Sequence, residues 1–396
     1  MGPPGRGEEA MMLRRAALAL LALALLPGCW DRKELNEVAV VIGVGIDRGE
    51  GEPFEVTAQV IKPTAQGKMG GGGGAELPTW SLTASGDTFL DAISELNRIS
   101  PRRLYWPHLQ IIILGEEMAK EGIAPVITWF EKSRDSRSGT YIVVTRGKAE
   151  DILNQKIELG NIPAKAMADM VANAEIRQLP ARKMTLRKLT GVLSSPGVDI
   201  AVDVIDPREI RGKVEAYRLE GAAIFDEDRL VGYVTDEAVH GLAIAHNTYA
   251  NTTIKARCPR DGNGHVTFQV TDFRSKLKVK HRNGEITGEF NIFVEGNLLD
   301  QTCKGKLMEP EQMVEVEQAI ADRIESLLTS MFERAAAKGS DVYGIGREVR
   351  RHYPKAWRQM QPEWEKKLQE VRITAEIDAN IRRSGLVIDP TINKMN

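Results

Sequence analysis

The stretch Val38-Ala39-Val40-Val41-Ile42-Gly43-Val44-Gly45-Ile46-Asp47 decides how the fold is read. Its β-branched residues follow one another almost without a polar break, as in a buried strand. Phe54, Val56, Ala58 and Val60 then alternate with polar neighbours, the pattern of a half-buried strand, and Gly49, Gly51 and Pro53 between them supply turn chemistry. The two segments predict an antiparallel hairpin.

Outward from this hairpin the pattern alternates between strand and helix. Asp87 or Thr88 caps a predicted helix with Leu90, Ile93 and Leu96 on one face. A strand is predicted over 109–114, helices around 116–120 and 124–132, a strand over 140–145 and a helix around 149–154. Residues 29–160 therefore read as an N-terminal α/β domain. Residues 161–215 read as a mostly helical middle domain or joint, punctuated by Pro180, Pro196, Gly197 and Pro207.

Residues 216–396 read as a C-terminal α+β domain. Strands are predicted at 219–225 and 230–235 around an Asp226-Glu227-Asp228 turn, then at 266–270, 277–280, 289–295 and 371–377. From Pro310, the residues Met313, Val316, Ile320, Ile324, Leu327 and Met331 recur at helical spacing, predicting a long amphipathic helix over the sheet. Its polar face mixes Glu315, Glu317, Asp322, Arg323 and Glu325 and is not lysine-rich, which favours packing on a core over lying on a membrane. The expected fold is mixed α/β and α+β, with two to three domains and a C-terminal antiparallel sheet packed with that helix.

Ahead of the first strand lies a different signal. Arg14 and Arg15 precede an apolar run from Ala16 to Leu26, and Leu26-Pro27-Gly28-Cys29 follows. The run is too short for a spanning helix, which needs roughly 20 residues. The order is that of a secretory signal, so residues 1–28 are expected to be removed and Cys29 to become a lipid-modified N-terminus. A plain signal peptide with an incidental cysteine is the alternative, and Met11 or Met12 is an alternative first residue.

Composition excludes more than it assigns. Lysine and arginine number 53 against 55 aspartates and glutamates, a net charge of −2, so nothing draws the chain toward nucleic acid. The run Gly70 to Gly74 lacks the following Lys-Ser or Lys-Thr of a phosphate loop, and Gly43-x-Gly45 lacks the third glycine of a dinucleotide fingerprint. His240 and His246 stand six apart without a metal-binding pattern, and no nucleophile elbow is present. Catalytic residues, metal ligands and cofactors are therefore none in this reading. Cys258 and Cys303 are read as free, partly buried thiols, with a disulfide as the alternative.

Several blocks carry a resemblance. Gly28-Cys29-Trp30-Asp31-Arg32-Lys33-Glu34-Leu35-Asn36-Glu37 with Gly43-Val44-Gly45-Ile46-Asp47 closely resembles the start of the spore-germination lipoproteins, the Ger(x)C family. The likeness continues through Ser85 to Thr88, Ser100 to His108, Leu114 to Glu116 and Ala119 to Gly122. It returns at Gly221 to Phe225, at Asp341-Val342-Tyr343-Gly344-Ile345-Gly346, and at Trp357 with Trp364. Two departures are the Gly70 to Gly74 insertion and Arg334-Ala-Ala-Ala-Lys338-Gly339, where relatives are more polar.

The resemblance implies the C subunit of a GerA-type tripartite germinant receptor, without catalysis. It implies a fold of three α/β domains and a lipid tether on the outer face of the inner spore membrane. It also implies permease-like and polytopic membrane subunits as partners. Trp30 and Arg32 then have two readings, contact with the bilayer or a membrane subunit, and a simple lead into the first strand. Arg102, Arg103, Tyr105 and Trp106 likewise read either as an exposed partner patch or as a loop clamping helix to strand. A solute-binding lipoprotein of a transporter shares the anchor, but that class has two similar doubly wound lobes.

Overall fold

A computed structural model describes residues 37–62, 78–133, 135–155, 162–174, 182–210, 213–260, 264–303 and 309–382, with residues 11, 14–18 and 307. The opening run forms strand β1 (Val38–Asp47), buried along most of its length. It pairs antiparallel with β2 (Phe54–Ile61), as in Val44↔Ala58. β3 (Thr79–Gly86) adds to the far edge of β2. The other edge of β1 is met in parallel by β4 (Arg103–Tyr105) and, further along, by β5 (Ile111–Gly115). With β6 (Tyr141–Thr145), β7 (Ala201–Ile210), β8 (Lys213–Asp226) and β9 (Arg229–Val234) this makes a nine-stranded mixed sheet among the described residues. Its order is β3-β2-β1-β5-β6-β7-β8-β9, with β4 beside β1.

Helices cover both faces of this sheet. α1 (Phe89–Ile99), α2 (Glu116–Glu121), α3 (Ala124–Lys132) and α6 (Leu186–Leu193) bury their apolar residues in one core with Val44, Ile46 and Leu114. α4 (Ala149–Asn154) and α5 (Pro163–Ala172) build a second core with Ile111, Ile113 and Val143 on the opposite face. Thr88 caps α1 by accepting the Asp91 amide at 3.1 Å. The buried stripe of α1 is Phe89, Ala92, Ile93 and Leu96, and Leu90 is 59% exposed, contrary to the face read from sequence. Counting from Phe89 satisfies the 3.6-residue period better than counting from Leu90.

The glycines of β1 have a packing reason. A Cβ on Gly43 would stand 2.3 Å from the Ala164 Cβ of α5, and one on Gly45 would stand 2.9 Å from the Leu153 Cδ1 of α4. Helices rest directly on the bare backbone there. Gln59 fixes the same place by donating to the Leu153 carbonyl at 2.7 Å and accepting the Ala164 amide at 3.0 Å.

β7, β8 and β9, a run that the sequence reading divides at residue 215, pair antiparallel in chain order on the end of the first sheet. Their alternation links two cores: Ala223 and Phe225 pack under the helices of the first sheet, while Ala222 and Ile224 face the C-terminal half.

That half contains a second sheet of order β10-β11-β12-β13. β11 (His265–Arg282) and β12 (Glu285–Gln301) are long paired strands where sequence periodicity marks only fragments. Asn283 (φ 51°) and Gly284 (φ 85°) close them in a two-residue turn, for which Asn-Gly is the favoured pair. β10 (Thr253–Arg257) is antiparallel to β11, but β13 (Arg372–Ile381) runs parallel to β12. A parallel neighbour requires a long crossover. α8 (Pro310–Ala336), α9 (Ile345–His352), α10 (Pro354–Met360) and α11 (Trp364–Glu370) provide it. α8 buries Val316, Ile320, Ile324, Leu327 and Met331 over the sheet, and α7 (His240–Ala245) packs beside it.

Cys258 and Cys303 form a disulfide, correcting the reading of free thiols. The ends of β10, β11 and β12 pair through Cys258 N–H to the Gly264 carbonyl and Thr302 N–H to the His265 carbonyl. This register sets the two Cα atoms 5.8 Å apart across a separation of 45 residues, which spacing in sequence does not reveal.

Candidate functional site

Cys29, Trp30 and Arg32 lie outside the described residues. The 100–108 stretch is described, and it divides between surface and core. β4 pairs with the beginning of β1, Val38↔Arg103 through Val40↔Tyr105, and the Arg103 amide donates to the Glu37 carbonyl at 3.3 Å. Leu104 is buried, and Trp106 is 5% exposed, edge-on to Trp129 and Phe130 at 5.9 and 6.3 Å. Arg103 is exposed, Arg102 and Tyr105 are half-buried, and the Tyr105 ring meets exposed His108 at 5.7 Å. Alternation along β4 thus leaves Arg102, Arg103 and Tyr105 to the surface and puts Trp106 in the core.

The opposite end of the parallel strands is where open α/β sheets bind ligands. Here Asp47 occupies it. Its Oδ1 accepts the Ala149 amide at 2.7 Å and its Oδ2 the Glu150 amide at 2.9 Å, so it caps α4. Burial pushes its carboxyl up to about 6, against the pull of these two amides. A Cβ on Gly115 would fall 1.9 Å from Asp47 Oδ1, so the glycine makes room for the cap. Both oxygens are committed to backbone, and the group acts as a structural clasp.

A second cluster joins the two sheets, and sequence inspection passes over its centre. Asp341 is fully buried and accepts the amides of Ile345 at 2.9 Å and Gly346 at 2.7 Å, with the Trp364 indole N–H at 3.2 Å. The Asp341 amide donates to Asp199 Oδ2 at 2.6 Å, while the Asp199 amide donates to the Asp341 carbonyl at 3.0 Å. Arg347 N–H reaches the Gly197 carbonyl at 2.6 Å. Gly197 (φ 79°) and Gly346 let the backbones touch: a Cβ on Gly197 would be 2.6 Å from the Gly346 carbonyl carbon. Trp357 and Trp364 meet edge-on at 5.1 Å over Gly346. Burial pushes the Asp341 carboxyl up to about 7 and also raises Asp199 and Asp226, the last to about 6. The signal available in sequence is the spacing of Asp341, Gly344 and Gly346 around the start of a helix.

Two half-buried histidines serve the same half. His240 Nδ1 lies 2.6 Å from the Tyr249 hydroxyl, and burial brings its ring down to about 4. His246 donates from Nε2 to the Val342 carbonyl at 2.8 Å, and burial holds it well below the usual histidine range. Among the described residues no group of three His, Cys, Asp or Glu side chains is placed to hold a metal ion.

Two family models match in chain order. Residues 31–207 match the spore germination protein N-terminal domain, and residues 220–385 match the spore germination B3/GerAC-like C-terminal domain. The chain belongs to the Ger(x)C family. Among Ger(x)C relatives, spore germination protein KC of Bacillus subtilis (strain 168) is 27% identical over 399 residues, covering 95% of this chain and 96% of that protein. Spore germination protein B3 of the same organism is 22% identical, covering 93% and 96%, and spore germination protein GerQC of Bacillus cereus is 20% identical, covering 94% and 99%. A solved structure, the crystal structure of the GerBC protein, covers 86% of this chain and 96% of that chain with a TM-score of 0.49 and 16% identity. Asp341, Gly346, Trp357 and Trp364, which build the joint, lie within the residues that match the C-terminal family model.

Proposed function

We propose that this Ger(x)C chain is the lipid-anchored, non-catalytic subunit of a spore germinant receptor, held on the outer face of the inner spore membrane beside permease-like and polytopic membrane subunits. Residues 1–28 are removed, and Cys29 carries the lipid. The observation that carries the reading is the Leu26-Pro27-Gly28-Cys29 block at the end of an apolar run, followed nine residues later by the start of β1. Two or three acyl chains, at about 0.8 kcal/mol per buried methylene, hold a water-soluble body at a membrane stably where one chain does not. No described helix is long and apolar enough to cross a membrane.

The titratable groups held by backbone partners support a structural role for the body. Asp47, Asp199 and Asp341 all accept backbone amides, and His246 donates to a carbonyl. The two sheets differ in size and topology, unlike the paired lobes of a solute-binding protein. Replacing Cys29 with alanine is the test. The variant is expected to leave the membrane fraction and to slow nutrient-triggered germination while growth is unchanged; normal germination with the protein released would overturn the reading.

A further inference from the structure

We infer that the end of the first sheet where β1 begins is a docking face for an anionic lipid surface, with Trp80 and Ile99 entering the interface and Arg98, Arg102 and Arg103 around them. The inference rests on acylation of Cys29 and goes beyond it by naming the face that the tether brings down.

Register places these residues together. Val41 pairs with Val60 and Val60 with Trp80, so Trp80 lies at the end of β3 nearest the start of β1. Arg103 pairs with Val38 at the same end. α1 begins beside Gly86, where a Cβ would meet the Ala92 amide at 2.4 Å, and runs back along β3 toward Trp80. Ile99 is four residues from Arg103, a reach of at most about 14 Å, which keeps it at this end. Ser100 and Pro101 then lead directly into Arg102 and β4.

This end combines exposed apolar side chains with cationic ones. Trp80 is 43% exposed and Ile99 48%, beyond the reach of the core that buries Leu82 and Leu96. Single exposed apolar residues carry little meaning. Here a tryptophan and an isoleucine share one end with three arginines, against Glu37 and Glu95. Indole is favoured at the membrane–water boundary, and arginine is drawn to anionic headgroups.

The tether selects the occupant. Eight residues lie between Cys29 and Val38, a reach of at most about 30 Å, so an acylated Cys29 holds this end within that distance of the bilayer. A short tether turns a weak surface contact into a persistent one through effective concentration.

The test uses the full chain as the cell processes it, reconstituted into phosphatidylcholine vesicles with phosphatidylglycerol, some acyl chains being brominated to quench nearby indoles. Trp80→Phe is expected to remove at least a third of the lipid-dependent quenching. A paired Arg102→Gln and Arg103→Gln variant is expected to lower the quenching at least twofold, and only when phosphatidylglycerol is present. Trp80 is exposed, and circular dichroism checks that each variant keeps the native fold. Unchanged quenching in Trp80→Phe overturns the inference, as does shielding of Trp80 that appears only when the membrane subunits are added. Mass spectrometry of the same sample reads the acyl groups separately. An acylated chain without Trp80 quenching sinks the docking face alone, and an unacylated chain sinks the anchor.

Discussion

Asp199 and Asp341 exchange backbone and side-chain hydrogen bonds across 142 residues of chain, and this reciprocal pair fastens the first sheet to the helical crossover of the second. Because Asp341 is fully buried, its ionisation is coupled to the joint. Its folded carboxyl is raised to about 7 from an ordinary 3.8. An acid raised on folding stabilises the folded state below its ordinary value and loses that contribution as pH rises through the raised one. His240 and His246, both lowered, act in the opposite direction as pH rises through their ordinary 6.5, and Asp47, Asp199 and Asp226, all raised, act in the same direction as Asp341. All of these groups are shared with Asp341→Asn, so the difference between the two proteins isolates the carboxyl. The unfolding free energy of the parent relative to Asp341→Asn, from denaturant titration, is expected to fall between about pH 6 and 8. An equal slope in both proteins contradicts the assignment.

Truncation at the same position tests the clasp itself. Asp341→Ala strands the Ile345 and Gly346 amides and the Trp364 indole N–H in a buried site. A loss of about 3 kcal/mol is expected. A change within 0.5 kcal/mol, roughly that of a surface substitution, would show that water replaces the carboxylate.

The Cys258–Cys303 bond closes 45 residues of the second sheet. Loop-closure entropy alone gives about 4 kcal/mol. Reduction, or Cys258→Ser with Cys303→Ser, is expected to lower the denaturant midpoint of the C-terminal half, read by Trp357 and Trp364 fluorescence. An unshifted midpoint would place the stability of this sheet in α8 and its core.

Gly43→Ala probes the seat of α5. The new Cβ would lie 2.3 Å from that of Ala164, whose amide Gln59 holds in place. Overpacking is expected to cost about 1–3 kcal/mol and several degrees of melting temperature. A variant as stable as the parent would mean that the helix start shifts freely.

The two readings of the 100–108 stretch separate by mutation. Trp106→Ala empties a core site among Trp129, Phe130 and Leu104 and is expected to cost about 3–5 kcal/mol. Arg103→Ala, on the surface, is expected to stay within about 0.5 kcal/mol. Equal costs would contradict the division along β4.

Sequence periodicity exposed much of this architecture because its signals are local. The β1–β2 hairpin, helices 124–132 and 149–154, and the stripe of α8 follow from residues that touch their own neighbours in sequence. Strands β3 and β4 escaped notice. Thr79 to Gly86 alternates polar residues with Trp80, Leu82 and Ala84, a strand pattern that was legible but unused, whereas three residues suffice for β4 because β1 supplies the partner. The Asn283-Gly284 turn was legible but unused, and with it the continuity of β11 and β12. The joint was not legible, since the partners of Asp341 at Asp199 and Gly197 are far away in sequence. Nor was the disulfide, whose geometry exists only once three strands are in register.

Anchoring at the membrane depends on one covalent feature, the lipid on Cys29. Mass spectrometry of the N-terminal peptide of the protein isolated from spore membranes tests it directly. The predicted result is a chain that starts at Cys29 and carries a diacylglyceryl group on its sulfur. A chain that starts elsewhere, or an unmodified Cys29 thiol, contradicts it.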